Sequence, residues 1–93
     1  MKRVFIIWSD LNQMGFGVEV NAKDYDKAKE LALEGWHRWN CPNEYPEYEF
    51  MGYAEPATEL LDEAEIEYKI LDEDEITDPN NPDYCIKGME VIC

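Results

Sequence analysis

The only histidine of the chain lies in Trp36-His37-Arg38-Trp39, beside two tryptophans, and is one candidate for proton-transfer chemistry. Helical phase turns both tryptophans toward the core and His37 and Arg38 toward water, so His37 reads as a surface histidine rather than a base. Cys41 follows four residues later, and the pair could share a metal if Cys85 or Cys93 came near in space. A structural zinc site needs four fixed ligands, however, and fraying of the helix before Pro42 leaves the pair unanchored. Gly15-Phe16-Gly17 begins like a dinucleotide loop. The third glycine position holds Val20, and a strand follows where a helix N-terminus would have to hold the pyrophosphate, so the stretch reads as a turn. Asp72, Asp74 and Asp78 resemble calcium-loop oxygens but lack the central Gly and closing Glu of an EF-hand. Paired carboxylates for acid-base catalysis are no more specific, because so many acids place some pair at any chosen spacing. No catalytic residue, metal site or cofactor is assigned from these patterns.

The acids themselves are unevenly placed. Residues 44–83 hold fifteen carboxylates and one base, Lys69, a surplus of fourteen that equals the net charge of −14. Residues 1–43 carry six acids and six bases, and residues 84–93 one of each. Such a one-sided field attracts cationic surfaces and repels nucleic acid and anionic lipid. Direct nucleic-acid binding and membrane association are therefore not expected.

Ninety-three residues, 45% hydrophobic and 13% aromatic, suffice for one modest core, and one α+β domain spanning 1–93 is expected. Val4 to Trp8 is a continuous β-branched and aromatic run, as in a strand buried on both faces. A polar stretch ending at Gly15 and the alternation of Phe16, Val18 and Val20 complete a hairpin. A helix over Tyr25 to Trp39 puts Tyr25, Ala28, Ala32, Gly35, Trp36 and Trp39 on one stripe, with Asn21 or Asp24 as its cap. Cys41-Pro42-Asn43 ends it. Tyr45 to Ala54 alternates, with Glu47, Glu49, Met51 and Tyr53 opposite Tyr48, Phe50 and Gly52, and predicts a third strand begun by Pro46. A short helix from Pro56 turns Ala57, Leu60, Leu61 and Ala64 inward. The period then changes to two at Ile66, Tyr68 and Ile70, predicting a fourth strand over 65–71 with a continued helix as its competitor. Asp72 to Asp83 is an acidic, Pro/Asn-rich loop, and Tyr84 to Cys93 returns to strand composition. The order ββαβαββ implies a mainly antiparallel sheet with two helices on one face. Five apolar residues after Met1-Lys2-Arg3 are too few for a signal-peptide core, and three cysteines without a CxxC pair suggest reduced thiols. A cytoplasmic protein is the expectation.

These elements would gather Glu47, Glu49, Glu59, Asp62, Glu63, Glu65, Glu67, Asp72, Glu73, Asp74 and Glu75 into an acidic face. Tyr48, with Tyr45 and Tyr53, would supply aromatic anchors for a partner. Crowded like charges cost stability, and a basic partner surface would compensate. In size, charge and the clustering of acids over 44–83, the chain resembles the phage and mobile-element inhibitors that imitate DNA, among them many anti-CRISPR proteins and the uracil-DNA glycosylase inhibitor. The resemblance implies a non-enzymatic blocker that occupies the nucleic-acid channel of a target protein, in the host cytoplasm if phage-encoded. The alternatives are a structural or regulatory module whose acidity serves solubility, and a small enzyme built on His37 or a carboxylate pair.

Overall fold

A computed structural model describes residues 1–9, 14–52, 54–75 and 85–87. The apolar run of Val4 to Trp8 lies in strand β1 (Lys2–Ser9), which pairs antiparallel with β2 (Met14–Asn21) from Lys2↔Asn21 to Ser9↔Met14. Phe5, Ile6 and Ile7 are all within 1% of full burial, as a strand covered on both faces requires. The sheet order β3-β2-β1-β4 explains that cover from the sides, because β1 has a neighbour on each edge. Strand β3 (Tyr68–Leu71) joins β2 antiparallel, and β4 (Cys85–Lys87) joins β1 in parallel. Gly15 is where the two ends of the hairpin close in, since a Cβ there would strike the Trp8 ring and the Ile7 carbonyl.

Helix α1 (Tyr25–Trp39) buries Tyr25, Ala28, Ala32, Gly35 and Trp36, the stripe expected from the 100° step, with Trp39 partly buried beside it. That stripe meets Phe5, Ile7, Phe16, Val18 and Val20 from one face of the sheet. Helix α2 (Glu55–Glu63) packs on α1 and adds Ala57 and Leu61 to the same core. Truncating the fully buried Leu61 to Ala would cost roughly 2–5 kcal/mol. Among the described residues, no helix is long and apolar enough to cross a membrane.

The structure corrects the sequence in four places. Tyr45 to Ala54 is not a strand: Pro46–Tyr48 is a 3-10 turn whose backbone groups bond locally, Tyr48 N–H to Tyr45 O at 3.0 Å and Met51 N–H to Tyr48 O at 3.2 Å. A chain that satisfies its amides locally has none to offer a ladder. Neither Asn21 nor Asp24 caps α1 through its side chain, because a 3-10 turn over Ala22–Asp24 carries the chain straight into the helix. Ala64, expected inward, is the exposed residue closing α2. Cys41 is disulfide-bonded rather than a free thiol, its partner lying outside the described side chains. The strand expected over 65–71 is present from Tyr68, and the helical competitor is excluded there. Tyr53, Asp78, the remainder of the acidic loop to Asp83, and Tyr84 and 88–93 of the last expected strand lie outside the described residues.

Candidate functional site

The segment after α1 folds back over the end of that helix. Trp39 Nε1 donates to the Met51 carbonyl at 3.1 Å, and Arg38 Nη1 donates to the Tyr48 hydroxyl at 3.2 Å. Two tethers hold the turn in place. Tyr45 and Tyr48 sit three residues apart, so a 3-10 turn puts them on one side, and their rings meet edge-on at 6.2 Å. Tyr48 is consequently only 3% exposed and belongs to the protein's own packing, which leaves little of it for a partner. Its neighbours point the other way: Glu47 and Glu49 are exposed, and Phe50 is 92% exposed. The alternation had put Phe50 on the same side as Tyr48, but the 3-10 turn separates them, burying Tyr48 and exposing Phe50.

The acidic surface continues through α2. Glu55 Oε2 accepts from the Gly52 N–H at 2.8 Å, anchoring the helix start to the preceding turn. Asp62 and Glu63 are exposed and Glu59 is partly so, while the opposite side of the helix carries Ala57, Leu60 and Leu61 into the core. The helix ends with Glu65 N–H on the Asp62 carbonyl and Ile66 N–H on the Leu61 carbonyl, a Schellman pair, with Glu65 at φ 59°. Ile66 then packs against the core, and Glu67 accepts from Asn21 Nδ2 at 3.4 Å. Burial raises the Tyr68 pKa above the ordinary phenol value, and a hydrogen bond to Asp62 raises it further. Asp72, Asp74 and Glu75 are exposed around a 3-10 turn at Glu73–Glu75, whose Glu75 Oε1 accepts from the Asp72 N–H at 3.3 Å; the Glu73 side chain lies outside the described residues.

Three of the cations, Arg38, Arg3 and Lys29, are engaged away from this surface. Among the described residues the one ion pair is Arg38 Nε to Glu34 Oε1 at 3.1 Å, the i,i+4 pair on α1. The same guanidinium bonds Tyr48, which with help from Glu34 and against some burial raises the Arg38 pKa and keeps it a cation. Arg3 and Lys29 lie over the Tyr25 ring at 3.6 and 4.6 Å from its centroid. No described carboxylate between 44 and 75 forms a salt bridge.

A second constellation stands where α1 stops. His37, Cys41 and Glu44 each bring one donor atom within 4.8 Å of the others. The His37 and Cys41 spacing was legible as a one-turn step, whereas Glu44 joins them only because the chain turns at Pro42. His37 Nδ1 is buried and has no hydrogen-bond partner, and the ring meets Tyr45 edge-on at 6.2 Å. No protein-family model, curated protein or solved structure matches this chain.

Proposed function

We propose that the protein is a non-enzymatic acidic binding protein, an inhibitor that covers a basic, nucleic-acid-binding surface of a partner protein by placing carboxylates where phosphates would lie. The observation that carries this reading is electrostatic. The exposed acids of residues 44–75 form no salt bridge among the described residues, while Arg38, Arg3 and Lys29 are held by Glu34 and by tyrosine rings. Their charge is left to act on a partner at long range. The supports are rigid in kind, a tethered turn and a helix face, so little ordering entropy would be lost on docking. Phe50 stands exposed among Glu47 and Glu49 and supplies the apolar anchor that charge alone lacks.

The test is capture from an extract at low and high salt, using the native chain and a variant with Glu47, Glu49, Glu59 and Glu63 changed to Lys. The first two sit on the turn and the last two on α2, and no side-chain hydrogen bond or ion pair among the described residues involves any of the four. The native chain should retain a basic nucleic-acid-binding protein at low salt and release it at high salt, and the variant should retain none while keeping its circular dichroism. Equal capture by both chains would place the binding surface elsewhere and defeat the proposal.

A further inference from the structure

We infer that His37, Cys41 and Glu44 form a zinc site that is closed while Cys41 is in its disulfide and opens when that disulfide is reduced. The inference stands apart from the acidic surface, because it rests on one mixed donor set at the end of α1.

His37 lies in the last turn of α1, and Asn40 N–H still reaches back to the Trp36 and His37 carbonyls at 3.2 and 3.1 Å. Cys41 N–H bonds the Arg38 carbonyl at 3.1 Å, and the Cys41 carbonyl then accepts from both Glu44 and Tyr45 N–H at 3.0 and 2.9 Å. Pro42 fixes φ inside that turn. The three side chains are thus delivered to one place by a short, internally bonded stretch, the reverse of a frayed end. The three donor atoms lie within 4.8 Å of one another. Tetrahedral zinc, with bonds of about 2.0–2.3 Å to nitrogen, oxygen and sulfur, asks for donors roughly 3.3–3.7 Å apart. Any remaining contraction is within reach of the exposed Glu44 side chain, which can rotate without disturbing the core.

Chemistry favours zinc over the hard cations that the rest of the surface would attract. Imidazole, thiolate and carboxylate are the nitrogen, sulfur and oxygen donors of zinc sites, whereas calcium and magnesium take oxygen alone. His37 adds a second observation, a buried Nδ1 without a hydrogen-bond partner, which marks an imidazole whose polar atoms the fold does not fully satisfy. The disulfide sets the gate. A disulfide sulfur lacks the charge of a thiolate, so reduction adds the Cys41 thiolate to the two donors, His37 and Glu44, that the oxidised protein offers. The opening step is thiol-disulfide exchange: a dithiol reductant supplies two electrons, the S–S bond breaks to give two cysteine thiols, and the reductant closes into its own disulfide. Zinc then displaces the Cys41 thiol proton to solvent, so binding strengthens as pH rises.

The full chain, oxidised or reduced with a dithiol that is then removed by gel filtration without air, is titrated with Zn²⁺ against a chromophoric chelator and with Co²⁺ under a spectrometer. Reduction should create one Zn²⁺ site and a sulfur-to-cobalt charge-transfer band. His37→Gln and Glu44→Gln, which leave the disulfide in place, should each weaken the reduced site by about tenfold to a hundredfold or more. Cys41→Ser should abolish the band, and Glu47→Gln should change neither affinity nor spectrum. Equal affinity before and after reduction, absence of the sulfur band, or unchanged binding by both His37→Gln and Glu44→Gln would overturn the inference and assign the metal to the carboxylate surface.

Discussion

Glu65 holds the left-handed position that ends α2, at φ 59°, where a side chain costs about 1–2 kcal/mol and glycine almost nothing. Glycine forfeits roughly 0.5–1 kcal/mol through the extra freedom of its unfolded chain, so the first effect prevails. Glu65→Gly should therefore stabilise the fold by about 0.5–1 kcal/mol, seen as a higher denaturant midpoint at constant slope; an unchanged or lower midpoint would mean that the carboxylate itself holds the turn. Phe50 is 92% exposed and contributes little to the core, so Phe50→Ala should leave stability within about 0.5 kcal/mol. If it anchors a partner, the same change should weaken binding by about tenfold or more, whereas loss of stability with intact binding would reverse its role.

The helices and strands of this protein could be read in the sequence wherever one periodicity ran long enough to outweigh its competitors. Fifteen residues of α1 fixed the buried stripe from Tyr25 to Trp36, and the change of period at Ile66 announced β3. Tyr45 to Ala54 failed because Glu47 and Glu49 alternate with Tyr48 and Phe50 as they would in a strand, whereas Tyr45 and Tyr48, three apart, share one side only in a 3-10 turn. The deciding contacts, Arg38 to Tyr48 and Trp39 to Met51, come from the preceding helix. A separate turn at Pro42 brings Glu44 to His37 and Cys41, so of the donor set only the one-turn step from His37 to Cys41 was legible. Packing between elements supplies two expectations. A Cβ on Gly35 would fall against the Pro56 backbone, so α1 and α2 touch through that glycine. Alanine is favoured in a helix by about 1 kcal/mol, but overpacking against a neighbouring backbone costs about 1–3 kcal/mol or more, and Gly35→Ala should lower the melting temperature. A rise would show that the helices can separate freely. The Tyr68 pKa is raised in the fold, first by burial and then by Asp62. Its contribution is present below the unfolded phenol value of about 10 and is lost as pH rises through the folded value. Stability should fall over that alkaline range, and less so in Tyr68→Phe; identical pH profiles would remove the Tyr68 contribution.

At the scale of the whole molecule the decisive quantity is a net charge of −14 with one ion pair among the described residues. Attraction inside the molecule is thus scarce, and repulsion among exposed carboxylates is not cancelled locally. Salt screens both, with a Debye length of about 30 Å at 0.01 M falling to about 8 Å at 0.15 M. A protein stabilised by its own surface ion pairs loses stability over that interval, whereas one strained by like charges gains it. The melting temperature of the isolated chain should rise with sodium chloride, and should rise less in the variant with Glu47, Glu49, Glu59 and Glu63 changed to Lys, whose acidic surface is already offset. The association rate with a basic partner must respond with the opposite sign, because the same screening shortens the reach of the attraction that steers encounter. Salt should therefore stabilise the free protein and slow its capture in one series of measurements. A melting temperature that falls with salt would show that the carboxylates are neutralised within the fold, and it would remove the charge on which the proposed docking depends.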